Sequence, residues 1–130
     1  MLSPTMRILK AIGRVVFAGG FIVAGVCHFI YRDFFVSIVP PSLPWPAALV
    51  YISGVAAILL GGLLMAPRTA RVAGWGLIAL LIAVFPANVQ MALHADRYPA
   101  IPAIALWIRL PLQGVLVALA YWFAEPARPE

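Results

Sequence analysis

Apolar positions fall in four long blocks, residues 8–30, 46–65, 72–93 and 102–123, and the few polar residues inside each block gather toward one of its ends. Each block matches the ~20 residues that an α-helix needs to cross a hydrocarbon core ~30 Å thick. The pattern predicts an all-α integral membrane protein, a bundle of four transmembrane helices. Connections are short, so residues 1–130 read as one domain. The composition agrees, since 65% of the chain is hydrophobic and 10% charged, far from the balance of a soluble domain.

The helices are apolar nearly all round, so periodicity does not mark their packing faces. Small residues do. Gly20 and Ala24, Ala57 and Gly61, Ala70 and Gly74, and Gly114 and Ala118 are each spaced four apart. Such pairs let helix backbones approach closely, where van der Waals contact drives association in lipid. The expectation is that all four pairs lie at helix contacts.

Between the first two blocks, Phe34, Phe35 and Ile38 have the spacing of a short interfacial helix. The run from Val39 to Pro46 contains four prolines and is expected to be extended, because each restrains its own φ and its predecessor. It reads as a rigid connector or as a lid over one mouth of the bundle, with Trp45 as an interfacial anchor. Pro67 marks a tight turn. The tail after Ala124, with Pro126 and Pro129, is expected to fray.

The net charge of +5 raises the question of nucleic acid, but its distribution answers it. Arg7, Lys10, Arg14, Arg68, Arg71 and Arg128 fall at one set of helix ends, and Arg32, Arg97 and Arg109 at the other. That bias follows the positive-inside rule and predicts cytoplasmic termini. No basic face suited to reading nucleic acid is present. The basic start continues into an apolar run without a small-x-small cleavage site, which predicts a retained first helix rather than a signal peptide. A single cysteine, Cys27, excludes an internal disulfide and a Cys-x-x-Cys pair.

Polar groups inside a membrane are costly and default to functional candidates. His28, Asn88, Arg109 and Gln113 stand out. His28 lies one step of four beyond Ala24 and should face a neighbouring helix. Arg109 and Gln113, four apart, share a face. By rise along the helix all four gather toward the side away from the termini, which predicts a polar pocket opening there. Pro86 frees the carbonyl of Ile82 and Pro111 that of Trp107, so the bland reading is that these side chains satisfy two kinks. For Arg109 the bland reading is snorkelling to the interface with Asp33 or Asp96. The sharper one is a ligand's head group or carbonyl held by the guanidinium. His28 is either a proton carrier or a histidine bonded to a backbone carbonyl. A metal site from His28, His94, Asp33 and Asp96 is a weaker alternative, and no metal is expected. No nucleotide loop, nucleophile–base pair or paired carboxylates occur.

Gly25-Val26-Cys27-His28-Phe29 and Val39-Pro40-Pro41-Ser42-Leu43-Pro44 resemble the opening of DoxX-like membrane proteins. Ser53-Gly54-Val55-Ala56 followed by Leu60-Gly61-Gly62-Leu63-Leu64 is similar to their second helix. Phe85-Pro86-Ala87-Asn88-Val89-Gln90-Met91-Ala92 and Arg109-Leu110-Pro111-Leu112-Gln113 are the most specific matches, to the third and last helices. The resemblance implies a four-helix protein of the bacterial cytoplasmic membrane with a site built from His28, Asn88, Arg109 and Gln113. It also implies association with quinone-linked or other redox systems, since family members occur in sulfur oxidation, methylamine metabolism and oxidant defence. One departure matters: where the family usually has a glutamate after Ser53-Gly54-Val55-Ala56, this chain has Ala57. That removes an internal acid and counter-charge.

The expected function is therefore a ligand-binding or accessory membrane subunit rather than an autonomous enzyme. Its partners would be the bilayer, other membrane or redox proteins, and a lipophilic molecule such as a quinone or lipid. No nucleic-acid partner is expected. The alternatives are a purely structural subunit and an autonomous quinone-coupled oxidoreductase.

Overall fold

A serine hydroxyl starts the first helix earlier than hydropathy alone suggests. In the computed structural model, which describes residues 2–125, Ser3 caps α1 (Pro4–Ile30) by accepting from the Met6 N–H, with Pro4 in the first turn. Proline suits that position because its missing N–H has no helical partner there. A six-residue helix follows, α2 (Arg32–Ser37), then α3 (Pro46–Met65), α4 (Ala70–Leu93), a short 3-10 turn at Ala95–Arg97, and α5 (Ala103–Ala124). No strand occurs among the described residues. Arg128, Pro126 and Pro129 lie outside them.

The four long helices are each long and apolar enough to cross a membrane. Val16, Ile52, Val72, Ile82 and Ile104 are each more than three-fifths exposed. Apolar surface on that scale needs a nonaqueous neighbour, and it fits an integral membrane protein. α1 and α3 pair, as do α4 and α5, while α3 and α4 join the two hairpins.

Glycine sets the first pairing. A methyl group on Gly25 would stand 2.6 Å from the Gly54 carbonyl oxygen, and one on Gly61 would stand 2.9 Å from that of Ala18. Both helices therefore repeat their close contact after seven residues in opposite directions, Gly25 to Ala18 and Gly54 to Gly61. That period is the one a shallow left-handed crossing maintains. On the second pairing, Gly74 meets Ala120 and Ala124.

Two of the four expected small-residue pairs do not pack. Ala57 and Gly61, and Ala70 and Gly74, are buried, but Gly20, Ala24, Gly114 and Ala118 are exposed. A side chain at Gly20 or Gly114 would meet nothing within 4 Å. α1 instead packs through Ala18 and Gly25, and α5 through Ala120 and Ala124. His28 still faces α3, because it stands three residues beyond Gly25; its Cβ would be 2.8 Å from a methyl on Gly54. Gly20→Ala and Gly114→Ala are therefore expected to leave detergent unfolding unchanged or raise stability by up to ~1 kcal/mol, the helix-propensity gain. A loss above that size in an unfolding titration would place these glycines at a contact.

The proline segment is a turn, not an extended run. The Leu43 N–H donates to the Pro40 carbonyl at 3.0 Å, with Pro41 and Ser42 between them. Proline's fixed φ serves the second position of a β-turn as well as it serves an extended chain. Trp45 then takes the left-handed conformation at φ 51°, and its side chain is 76% exposed. A non-glycine residue there costs roughly 1–2 kcal/mol. It reverses the chain sharply into α3.

At the end bearing the termini, α1 closes on α5. Lys10 is buried, donates from Nζ to the Glu125 carbonyl at 2.9 Å, and lies 5.3 Å from the centre of the Trp122 ring. A cation on the last carbonyls of α5 complements the negative end of that helix. Gly13 and Phe17 meet Phe123 just above. One apolar core, including Ala18, Leu64, Leu77 and Phe123, fills this half. A second, Ile38 with Met91, Ala92, Tyr98 and Leu106, caps the far end. A space remains between them.

Candidate functional site

That space is a cavity of about 480 Å3 between the two hairpins. Its volume lies within the range of small-molecule sites. Phe21, Ala24 and His28 line it from α1, Val50, Ser53 and Ala57 from α3, Leu80, Leu81 and Asn88 from α4, and Arg109, Gln113 and Leu116 from α5. All four residues singled out from the sequence, His28, Asn88, Arg109 and Gln113, thus meet at one cavity. Ala57 is on its wall and buried.

The far end is covered by α2 and the proline turn. Phe35, Ile38, Pro40 and Leu43 contribute to the lining. This cover is held by specific contacts. Phe35 stacks on the His28 ring with centroids 4.1 Å apart, and Phe34 meets Tyr98 edge to face at 6.0 Å. The Tyr98 hydroxyl donates to the Ser37 carbonyl at 3.2 Å. Of the connector and the lid, the segment has the position of the lid.

His28 bonds through Nδ1 to the Ala24 carbonyl at 2.7 Å. A carbonyl can only accept, so Nδ1 carries the proton and Nε2 of the neutral ring is left as an acceptor. His94 makes the equivalent bond to Gln90 at 3.0 Å. Among the described residues, no three His, Cys, Asp or Glu side chains converge on a possible metal position.

Asn88 and Gln113 form a chain across α4 and α5. Asn88 Nδ2 donates to Gln113 Oε1, and Gln113 Nε2 donates to the Leu81 carbonyl. Gln113 is 4% exposed. The amide does not reach the carbonyl that the kink reading names, that of Ile82. α4 continues helically through Pro86, and the amide reaches Leu81, one residue before the carbonyl deprived of its N–H. At Pro111 neither expected side chain serves Trp107, because Gln113 is engaged across the interface and Arg109 turns to Met91.

Arg109 Nη1 lies 3.5 Å from Met91 Sδ, and it has no carboxylate partner among the described residues. The expected bond to Asp33 or Asp96 is not made. A thioether is a weak acceptor that carries no counter-charge. Ser53 is the lining residue that the sequence reading passed over. Its hydroxyl is bonded to the Leu49 carbonyl at 2.9 Å, also within 3.1 Å of Val50 O, which leaves its oxygen lone pairs on the cavity wall. Its signal was present, since it is a polar residue within an apolar span.

Residues 17–124 match the model of a protein family described as a domain of unknown function, DUF8561. The chain belongs to the DUF8561 family. The match contains every residue lining the cavity and excludes Arg7, Lys10 and Arg14. The DUF8561 region is thus the cavity-bearing part of the bundle, with the basic start of α1 outside it. No curated protein and no solved structure matches the chain.

Proposed function

We propose that this DUF8561 protein is an integral membrane binding protein that holds a lipophilic molecule with an oxygen-bearing head between its two hairpins. In this reading it is a ligand-binding or accessory subunit of a quinone-linked redox system in a bacterial cytoplasmic membrane, and a distant relative of DoxX-like proteins. The bias of Arg7, Lys10, Arg14, Arg68 and Arg71 toward one end supports cytoplasmic termini, with the lid on the outer side in this reading. The observation that carries the reading is an apolar cavity whose wall holds a guanidinium with no anionic partner among the described residues. Arg109 bonds a ligand oxygen, Asn88 and Gln113 shape the wall beside it, and His28 Nε2 accepts from a ligand hydroxyl. Ala57 stands where the resemblance places an internal acid, which supports a reading of binding rather than autonomous catalysis.

A purely structural role is favoured by one observation: the amides of Asn88 and Gln113 bond each other and Leu81, holding α4 to α5. Native mass spectrometry of protein released gently from its own membranes separates the two. The expected result is a bound small molecule that is lost in Arg109→Ala while the bundle remains folded. A bare chain found only within a larger complex, with assembly lost in the same variant, establishes the structural role instead.

A further inference from the structure

We propose that the cavity takes a lipid with an anionic head. Its carboxylate or phosphate sits on Arg109, and its hydrocarbon chain runs among Phe21, Ala57, Leu80 and Leu116. The inference rests on the ligand-binding reading above and narrows it to one chemical class.

Charge is the first argument. Among the described residues, Arg109 is the single lysine or arginine on the cavity wall, and the wall contains no aspartate or glutamate. A guanidinium against an apolar cavity is stabilised by a counter-charge far more than by a neutral carbonyl or a thioether. A neutral quinone accepts its hydrogen bonds but leaves that charge uncompensated. Donor capacity is the second. One N–H of Asn88 and one of Gln113 are already engaged, whereas the guanidinium meets only a weak thioether acceptor. It is the strongest donor on the wall, and its geometry matches a carboxylate or phosphate.

The arrangement along the helix is that of an amphiphile. Arg109 stands six residues into α5, roughly 9 Å from its start by the helical rise. Leu116 is a further ~10 Å inward, and the wall toward it is apolar apart from the engaged Gln113. A head near the surface and a chain reaching toward mid-membrane is how lipids of that leaflet lie. Access fits as well. α1 and α5 pack together little, and their named contacts, Lys10 with Trp122 and Glu125 and Gly13 and Phe17 with Phe123, are all at the terminal end. At the level of Arg109 both helices border the cavity without closing on each other, and Arg109 itself is exposed.

The test uses purified full-length protein in a neutral detergent. The probe is a fluorescent long-chain polyene fatty acid, compared with its methyl ester. Competitors are an unlabelled fatty acid, phosphatidylglycerol and a neutral long-chain quinone. The acid is expected to bind about tenfold or more tightly than the ester, the equivalent of one charge-assisted pair. Arg109→Gln should bind both at the ester's affinity, and Arg109→Lys should recover part of the preference for the acid. The acid-to-ester ratio of the unaltered protein decides the matter even if a variant folds poorly. Displacement by phosphatidylglycerol at lower concentration than by unlabelled fatty acid assigns the head as phosphate; the reverse order assigns it as carboxylate. An ester that binds as tightly as the acid, or a quinone that binds more tightly, overturns the anionic head and leaves the binding reading standing. Failure of acid, ester and quinone alike overturns both.

Discussion

Gly74→Leu is expected to abolish the close packing of α4 on α5 and to cost at least about 3 kcal/mol, the upper range for forcing bulk into a filled interior. The added Cβ alone would overlap that of Ala124 and stand 2.8 Å from the Ala120 carbonyl oxygen. Neither obstacle is the tip of a flexible side chain. Both belong to the backbone or first side-chain atom of a packed helix, so relief requires moving α5. Ala120 and Phe123 lie in the same core as Leu77, and that core forms the floor beneath the cavity. Separation of the hairpin should therefore open the terminal end and lower the midpoint of unfolding in a denaturing-detergent titration. Gly74→Ala should show a smaller loss of the same sign. An unchanged midpoint for the leucine variant would mean that the two helices do not meet at this face.

Gln113→Leu is expected to destabilise the bundle by about 1–3 kcal/mol while preserving side-chain volume. It leaves the Leu81 carbonyl without its cross-helix donor and the Asn88 amide without its acceptor. The Asn88 amide is the group left unsatisfied, since the Leu81 carbonyl lies within the helical run of α4 and loses only a second donor. An orphaned buried group costs roughly 1–3 kcal/mol in a protein interior. In a membrane the penalty is smaller, because unfolded helices find other partners and measured interhelical bonds average ~0.6 kcal/mol. The informative measurement is a double-mutant cycle with Asn88→Leu. A coupling of about 1 kcal/mol is expected, since either single substitution already breaks the shared bond. Additive losses would show that the amides act separately and that the chain of bonds contributes nothing as a unit.

The candidate site was legible to the extent that cost is legible. His28, Asn88, Arg109 and Gln113 are conspicuous because polar groups in apolar spans are expensive, and the structure places all of them around one cavity. Their partners were not legible. Arg109 meets the sulfur of Met91, and Gln113 reaches the carbonyl of Leu81 on another helix. Both contacts depend on how far two helices rotate and slide, which spacing within either helix does not determine. Lys10 makes the same point at the other end. As a sequence feature it is one of several basic residues marking an end, yet it folds over Trp122 and caps α5.

Local composition by itself determined the four spans, the short helix before the prolines and the tight turn at Pro67, because helix length and hydrocarbon thickness are properties of a segment alone. It could not choose among faces. Lipid and a neighbouring helix are both apolar, so Gly20–Ala24 and Ala18–Gly25 are equally acceptable contact stripes until another helix arrives. Tertiary structure decided that question through the fit of Gly25 against Gly54 and Gly74 against Ala120 and Ala124. It likewise turned the proline run back on itself, because a φ near −65° suits an extended chain and a turn alike. The cavity belongs wholly to this second level: it is the volume left where α1 and α5 part, between two cores that each pack well on their own.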